Sequence, residues 1–155
     1  MAGWRILLTL LRPGGFMNVA LYSKTGRQPV QSAREYVVQK GYGSTAEDIR
    51  RLRQELLLTP LRATAQWNDF YTISECRDLL FHVQEHQTSI PEIQSFIEEH
   101  RLRFIGFHLQ PEIAAAYRQR FPDDVSLTDL SSWSSFEVEN PYTFASMYQF
   151  WVQKS

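Results

Sequence analysis

The stretch LLRPGGFMNVALY, residues 10–22, has the pattern of a helix end, a tight turn and a buried strand. Pro13, Gly14 and Gly15 are residue types that mark turns. Residues 16–22 are apolar apart from Asn18 and show no polar alternation. Because a strand that is apolar on both faces is usually covered on both faces, this pattern predicts a strand of a parallel sheet between helix layers.

Composition narrows the class of protein. The chain has 155 residues, 43% hydrophobic and 21% charged, which is typical of one globular domain. Its net charge of -1, from 16 basic and 17 acidic residues, gives no electrostatic basis for binding nucleic acid or an anionic membrane. Cys76 is the single cysteine, which excludes an internal disulfide and favours a reduced, cytoplasmic setting. No stretch predicts a signal peptide or a transmembrane helix.

Cap and stop residues divide the rest of the chain into elements. Capping-box patterns begin at Ser44, Thr72 and Ser89, and a proline in the first turn strengthens the last of them. Gly106 lies inside a predicted strand and is expected to allow a close backbone approach there. The patterns predict helices over 2–11, 29–40, 44–58, 72–80, 89–100, 111–121 and 130–139, and strands over 16–22, 102–109 and 147–152.

Several segments together resemble one protein family. Residues 10–15, followed by an apolar strand, resemble the approach to the fifth strand of class I S-adenosylmethionine-dependent methyltransferases. Residues 74–86, 90–93, 104–107 and 144–153 are similar to a bacterial subgroup of that family that is often fused to tetratricopeptide repeats. The resemblance covers nearly the whole chain.

The resemblance implies an α/β fold with a partial Rossmann-like methyltransferase sheet. Residues 16–22, 102–109 and 147–152 would be its fifth, sixth and seventh strands, with the seventh antiparallel between the other two. A helical insertion would occupy about 29–100. We therefore expect a single partial domain over 1–155, equivalent to the C-terminal half of the methyltransferase fold.

The family's cofactor motif is absent from this sequence. Members bind S-adenosylmethionine through an acidic-Gly-x-Gly-x-Gly turn and an acidic residue on the ribose, because backbone amides must approach the ligand closely. The seven glycines form no such turn. We therefore expect no cofactor binding by this chain alone. A complete relative transfers a methyl group by in-line displacement, and this chain would supply the acceptor side, for a small-molecule or protein acceptor that the residues do not identify.

The family's fourth strand has no counterpart in this sequence, and this leads to an expectation about partners. The absence of that strand would leave residues 16–22 as an apolar sheet edge, and such an edge favours pairing with another chain. The resemblance thus implies self-association, or pairing with a missing N-terminal half.

Residues 82–86, HVQEH, are the clearest candidate for chemistry. In the family's acceptor wall, His82 or His86 could bind substrate or accept a proton, with Glu85 orienting the imidazole. The spacing also fits a zinc pattern if the two histidines share a helix face and a late carboxylate, Glu137 or Glu139, supplies a third ligand. The alternative without chemistry is a helix terminus whose histidines cap carbonyl groups. We expect no bound zinc.

Tyr22 and Ser23 end the first predicted strand. Ligands of open α/β sheets bind outside the carboxyl ends of strands, so these two residues are candidates for substrate binding. The leading hypothesis is a partial methyltransferase that is inactive alone. A non-catalytic protein-binding module built from the same fold is the main alternative, and a zinc hydrolase using His82, Glu85 and His86 is a third.

Overall fold

The computed structural model describes residues 2–82, 85–145 and 147–155. They form two compact units, one made of Met1–Gly26 with Gln87–Ser155 and the other of Arg27–His86. The first unit carries the sheet, and the second is helical.

The predicted helices and strands are present, with ends shifted by a few residues. The structure also contains a short strand and two 3₁₀ segments that the sequence patterns did not predict. In chain order the elements are α1 (Ala2–Leu10), β1 (Phe16–Ser23), α2 (Gln28–Lys40), α3 (Ala46–Leu57), 3₁₀ segments Pro60–Gln66 and Asn68–Phe70, α4 (Ile73–Phe81), β2 (Gln87–Thr88), α5 (Ile90–Glu99), β3 (Leu102–Phe107), α6 (Pro111–Arg120), α7 (Leu130–Glu139) and β4 (Tyr148–Lys154).

A four-stranded mixed sheet organises the first unit, in the order β2-β1-β4-β3. The last strand, β4, runs antiparallel to both β1 and β3, so β1 and β3 point the same way and end at the same edge. The sequence-based order of three strands, with the last one in the middle and antiparallel, is therefore present. β2 pairs in parallel with β1 at Tyr22 and Ser23 alone. In the part of the chain that the structure describes, no strand pairs with residues 16–21 of β1 on the side away from β4.

The expectation that β1 is covered on both faces is wrong. Burial alternates along the strand: Val19 and Ser23 are buried, whereas Phe16 and Tyr22 are 56% and 36% exposed. Trp151 on the neighbouring β4 is 39% exposed. One face of the sheet therefore lies on the core and the other carries exposed aromatic side chains, an arrangement that antiparallel pairing tolerates.

Aromatic stacking holds the helices of the first unit on the core face of the sheet. Trp4 of α1 stacks on Phe96 of α5 with ring centroids 3.9 Å apart and meets Phe150 of β4 edge-on at 5.6 Å. Tyr117 of α6 stacks on Trp133 of α7 at 3.7 Å. Both α1 and α5 thus pack on the same face, because their aromatic residues share one cluster.

Helix starts follow the capping rules in two of the three predicted boxes. The Ser89 and Glu92 box begins α5 as expected, and the Thr72 hydroxyl accepts the Glu75 backbone N–H at the start of α4. The third prediction is one residue off: Thr45, not Ser44, is the cap of α3, and its hydroxyl accepts the Asp48 N–H. The rule for spacing is correct there, but two adjacent hydroxyl residues compete for the same role.

The second unit has its own core, formed where α4 packs against both α2 and α3. Its buried apolar side chains include Val30, Ala33, Ile49, Leu52 and Leu79. Among the described residues of the whole chain, none of the helices has the length and apolar character needed to cross a bilayer.

Candidate functional site

The common carboxyl edge of β1 and β3 carries an open cavity of about 580 Å³. Among the described residues, those that line it belong to the first unit. Its lining residues are His108, Leu109, Gln110, Ile113, Tyr142, Thr143, Phe144, Ala145, Met147 and Gln149. This edge is where open α/β sheets place their ligands, so the cavity is the candidate site that the geometry favours.

A β-bulge determines which way His108 points. Phe104 pairs with Val152 but Gly106 pairs with Trp151, so one extra residue is accommodated between them. Such an insertion moves every later side chain of the strand to the opposite face. His108 consequently lies on the exposed face, with its ring 6.2 Å from that of Trp151, instead of facing the core.

The expectation that Gly106 allows a close backbone approach is wrong. A Cβ atom at Gly106 would meet nothing within 4 Å, so no close backbone approach requires the glycine. The backbone at Gly106 has φ +147°, a conformation that side chains rarely adopt. The glycine is needed for the bulge itself, and the bulge positions His108.

Two hydrogen bonds fix His108 at the cavity. Its backbone N–H donates to the Gln149 carbonyl at 2.7 Å. The Asn18 amide nitrogen lies 2.9 Å from His108 Nε2, so the amide donates and the ring nitrogen accepts. A neutral imidazole that accepts at Nε2 carries its proton on Nδ1. Asn18 therefore selects both the orientation and the tautomer of the ring.

A buried carboxylate lies at the same edge, beneath the end of β1. Glu137 of α7 is 4% exposed and accepts hydrogen bonds from the Ser23 hydroxyl at 2.7 Å and from the Tyr148 hydroxyl at 2.8 and 2.9 Å. Burial raises the pKa of Glu137, and these hydroxyl bonds act in the opposite direction. The cluster joins β1, α7 and β4 at the point where the sheet ends.

The two predicted substrate-binding residues differ in position. Ser23 is fully buried, donates to Glu137 and accepts the Gly26 backbone N–H at 2.8 Å. Tyr22 is on the exposed face of the sheet. Neither is among the residues that line the cavity, and substrate binding by them stays a prediction.

The HVQEH segment belongs to the second unit. α4 ends at Phe81, and His82 follows it with extended backbone, φ -65° and ψ 130°. Val83 and Gln84 lie outside the described residues. His82 and His86 are exposed. Because the helix ends before His82, the two histidines do not share a helix face, which is the geometry that the zinc pattern requires.

Glu85 takes part in a buried ion-pair network. Its carboxylate accepts hydrogen bonds from Arg27 Nε and Nη2 at 3.0 and 2.7 Å, and from Arg34 Nη2 at 2.9 Å. The side chains of Glu85 and Arg27 are each 6% exposed. Arg34 also donates to the Leu79 carbonyl. The network joins the two chain ends of the second unit, residues 27 and 85, and an arginine on α2.

No set of metal ligands is assembled within the described ranges. Groups of three or more His, Cys, Asp and Glu side chains that could hold an ion are absent from residues 2–82, 85–145 and 147–155. The late carboxylates considered as zinc ligands bind elsewhere: Glu137 lies within its hydroxyl cluster and Glu139 pairs with Arg120 at 2.8 Å. Catalytic roles for His82, Glu85 and His86 stay predictions.

Sequence reasoning did not identify His108 or Asn18. The two residues are 90 positions apart and no short motif joins them. The one local signal was Gly106, because a glycine inside a strand pattern indicates a bulge as well as a close approach. Counting the alternation beyond that bulge would have placed His108 on the open face.

Comparison with known families finds no family model that matches the chain, and no curated protein matches it.

Proposed function

We propose that this chain is the C-terminal, acceptor-side part of a class I S-adenosylmethionine-dependent methyltransferase and is inactive alone. The observation that carries the proposal is the position of β4, antiparallel between β1 and β3. That order is the one expected for the fifth, seventh and sixth strands of the family.

The glycines of this chain do not fit the family's cofactor. Gly26 packs so closely on the Phe144 backbone that a Cβ atom would lie 2.3 Å from the Phe144 carbonyl oxygen. Gly41 forms the C-cap of α2, and Gly106 forms the bulge in β3. None of these positions presents a free run of amides to a ligand, so no step of methyl transfer is derived from this chain alone.

The test is calorimetric titration with S-adenosylmethionine. We predict that the isolated chain shows no appreciable binding. The same chain, expressed together with whatever the reading frame encodes upstream of Met1, is predicted to bind if an acidic-Gly-x-Gly-x-Gly turn is encoded there. Micromolar binding by the isolated chain would contradict the proposal that it supplies only the acceptor side. An upstream reading frame without the turn would contradict the family assignment.

A non-catalytic protein-binding module is the second candidate. The exposed aromatic face of the sheet and the unpaired stretch of β1 favour it, because a soluble protein rarely leaves a large apolar patch uncovered. A zinc hydrolase receives no support from the described residues, since α4 ends before the histidine pair begins.

A further inference from the structure

We propose that the cavity at the carboxyl end of β3 binds an uncharged ligand that combines an apolar body with an amide or hydroxyl group. The inference does not depend on the methyltransferase proposal, because it rests on the walls of the cavity alone. It concerns a site that the sequence resemblance does not assign.

The lining residues determine the charge of the ligand. None of the ten is Asp, Glu, Lys or Arg, and its hydrogen-bonding side chains are those of His108, Gln110, Tyr142, Thr143 and Gln149. A charged ligand that loses water without gaining an opposite charge is bound at a cost. Amide and hydroxyl side chains offer both donors and acceptors, so they match a neutral polar group.

The apolar side chains form the smaller part of the lining, and they can contact the apolar body of a ligand. Leu109, Ile113, Phe144 and Met147 supply hydrocarbon and aromatic surface. The volume of about 580 Å³ falls within the range of roughly 300–1,000 Å³ that is common for small-molecule sites.

One wall is held by the bulge and the sheet. The Asn18 amide bonds the His108 ring at 2.9 Å, and the His108 backbone N–H bonds the Gln149 carbonyl at 2.7 Å. These bonds orient the ring of His108 and join its backbone to that of Gln149 before any ligand arrives. A polar side chain that is already ordered lowers the entropy cost of binding.

The opposite wall, residues 142–145, is also held in place. The Thr143 hydroxyl donates to the Asn140 carbonyl at 2.8 Å, and the Ala145 N–H donates to the Tyr142 carbonyl at 3.3 Å. Phe144 is buried, with its ring centroid 4.7 Å from that of Phe107. Gly26 lies directly against the Phe144 backbone. Both walls are therefore preformed, which is typical of ligand sites.

Three small probes that share a benzene ring test the proposal: benzamide is neutral, benzoate is an anion and benzylamine is a cation at neutral pH. The full chain is labelled with ¹³C in its methionine methyl groups, whose signals remain sharp in large particles. Met147 lines the cavity, and Met17 on β1 does not. Titration with benzamide is expected to move the Met147 signal in a saturable way and to leave Met17 unchanged.

The ranking of the probes and two variants decide the outcome. Benzoate and benzylamine are expected to bind at least about tenfold more weakly than benzamide. Gln149→Ala is expected to abolish the benzamide shift, whereas Gln119→Ala, an exposed glutamine of α6 outside the cavity, should preserve it. An unmoved Met147 signal, equal binding of a charged probe, or an unchanged titration of Gln149→Ala would each overturn the proposal.

Discussion

At the residue scale, the candidate that looked most like a catalytic group is held by charge pairing. Glu85 has its carboxylate between Arg27 and Arg34, with 6% of its side chain exposed. Removing one partner of a buried pair leaves the others uncompensated, which is costlier than losing an exposed pair. Glu85 is therefore expected to stabilise the second unit, whatever else it does.

Glu85→Gln is predicted to lower the free energy of unfolding by about 3–5 kcal/mol. The matched control is Glu99→Gln, which removes the exposed pair with Arg5 and should cost about 0–1 kcal/mol. Chemical denaturation followed by circular dichroism measures both. Equal stability of the two variants would mean that the network does not hold the helical unit together.

The buried Glu137 predicts a pH dependence with a definite sign. Its pKa in the folded chain is raised above the ordinary value of 4.5, chiefly by burial. A carboxyl group with a raised folded pKa contributes stability that is fully present below its unfolded pKa and is lost as the pH rises through the folded pKa. The ionised form is thus the less stable one in the folded protein.

Glu137→Gln removes this group and should flatten that part of the pH profile. From pH 4.5 upward, the stability advantage of the wild type over the variant is predicted to shrink. Denaturation at a series of pH values measures it. Glu139→Gln is the control. The hydrogen bond from Arg120 lowers the pKa of Glu139, so the stability advantage of the wild type over this variant should grow as the pH rises. An advantage of the wild type over Glu137→Gln that grows with pH would refute the assignment.

At the element scale, the bulge in β3 links backbone conformation to the candidate site. Gly106→Ala forces a Cβ onto a backbone with φ +147°, and is predicted to cost about 1–3 kcal/mol of unfolding free energy. Gly3→Ala is the control, since Gly3 lies in α1 with free space around it and alanine favours helix by up to about 1 kcal/mol. Thermal unfolding compares the two variants. A Gly106→Ala chain as stable as the wild type would show that the bulge does not require glycine.

Elements could be predicted from sequence where their signals are local. The caps of α4 and α5 depend on residues three positions apart, Thr72 with Glu75 and Ser89 with Glu92, so a short window contains them. The one-sided burial of β1 could not be predicted in this way. Its exposed face depends on what the rest of the chain leaves uncovered, and an apolar strand has the same sequence in either case.

The site was less predictable than the fold for the same physical reason. His108 reaches Asn18 across 90 positions, and Ser23 reaches Glu137 across 114. Such contacts depend on strand order and register, which must be known before any side chain can be placed. The short β2, two residues long, likewise forms because β1 is beside it, and its own sequence carries no strand pattern.

At the scale of the whole molecule, the first unit leaves apolar surface uncovered. Phe16 and Trp151 are exposed on the open face of the sheet, and Ile6, Leu7 and Leu10 are exposed on α1. Pairing on the outer side of β1 is confined to Tyr22 and Ser23 among the residues described. Sheet edges and apolar patches of this kind promote association, which supports the proposal that the chain pairs with another polypeptide.

Ala20→Lys is predicted to weaken that association. Ala20 is exposed on β1, next to the unpaired edge, and a charged side chain on an edge strand discourages pairing with another chain. Gln119→Lys adds the same charge to the exposed side of α6 and should leave association unchanged. Analytical ultracentrifugation of the two variants distinguishes the edge from a general effect of charge.

We propose that another polypeptide pairs with the outer edge of β1, and the mass of the chain in solution is the measurement that checks this proposal. Size-exclusion chromatography with light scattering at tens of micromolar is predicted to give a mass above that of one chain of 18.2 kDa, together with binding of a hydrophobic dye. A stable monomer that binds no such dye would contradict the account, because it would show that the exposed strand and its aromatic face need no partner.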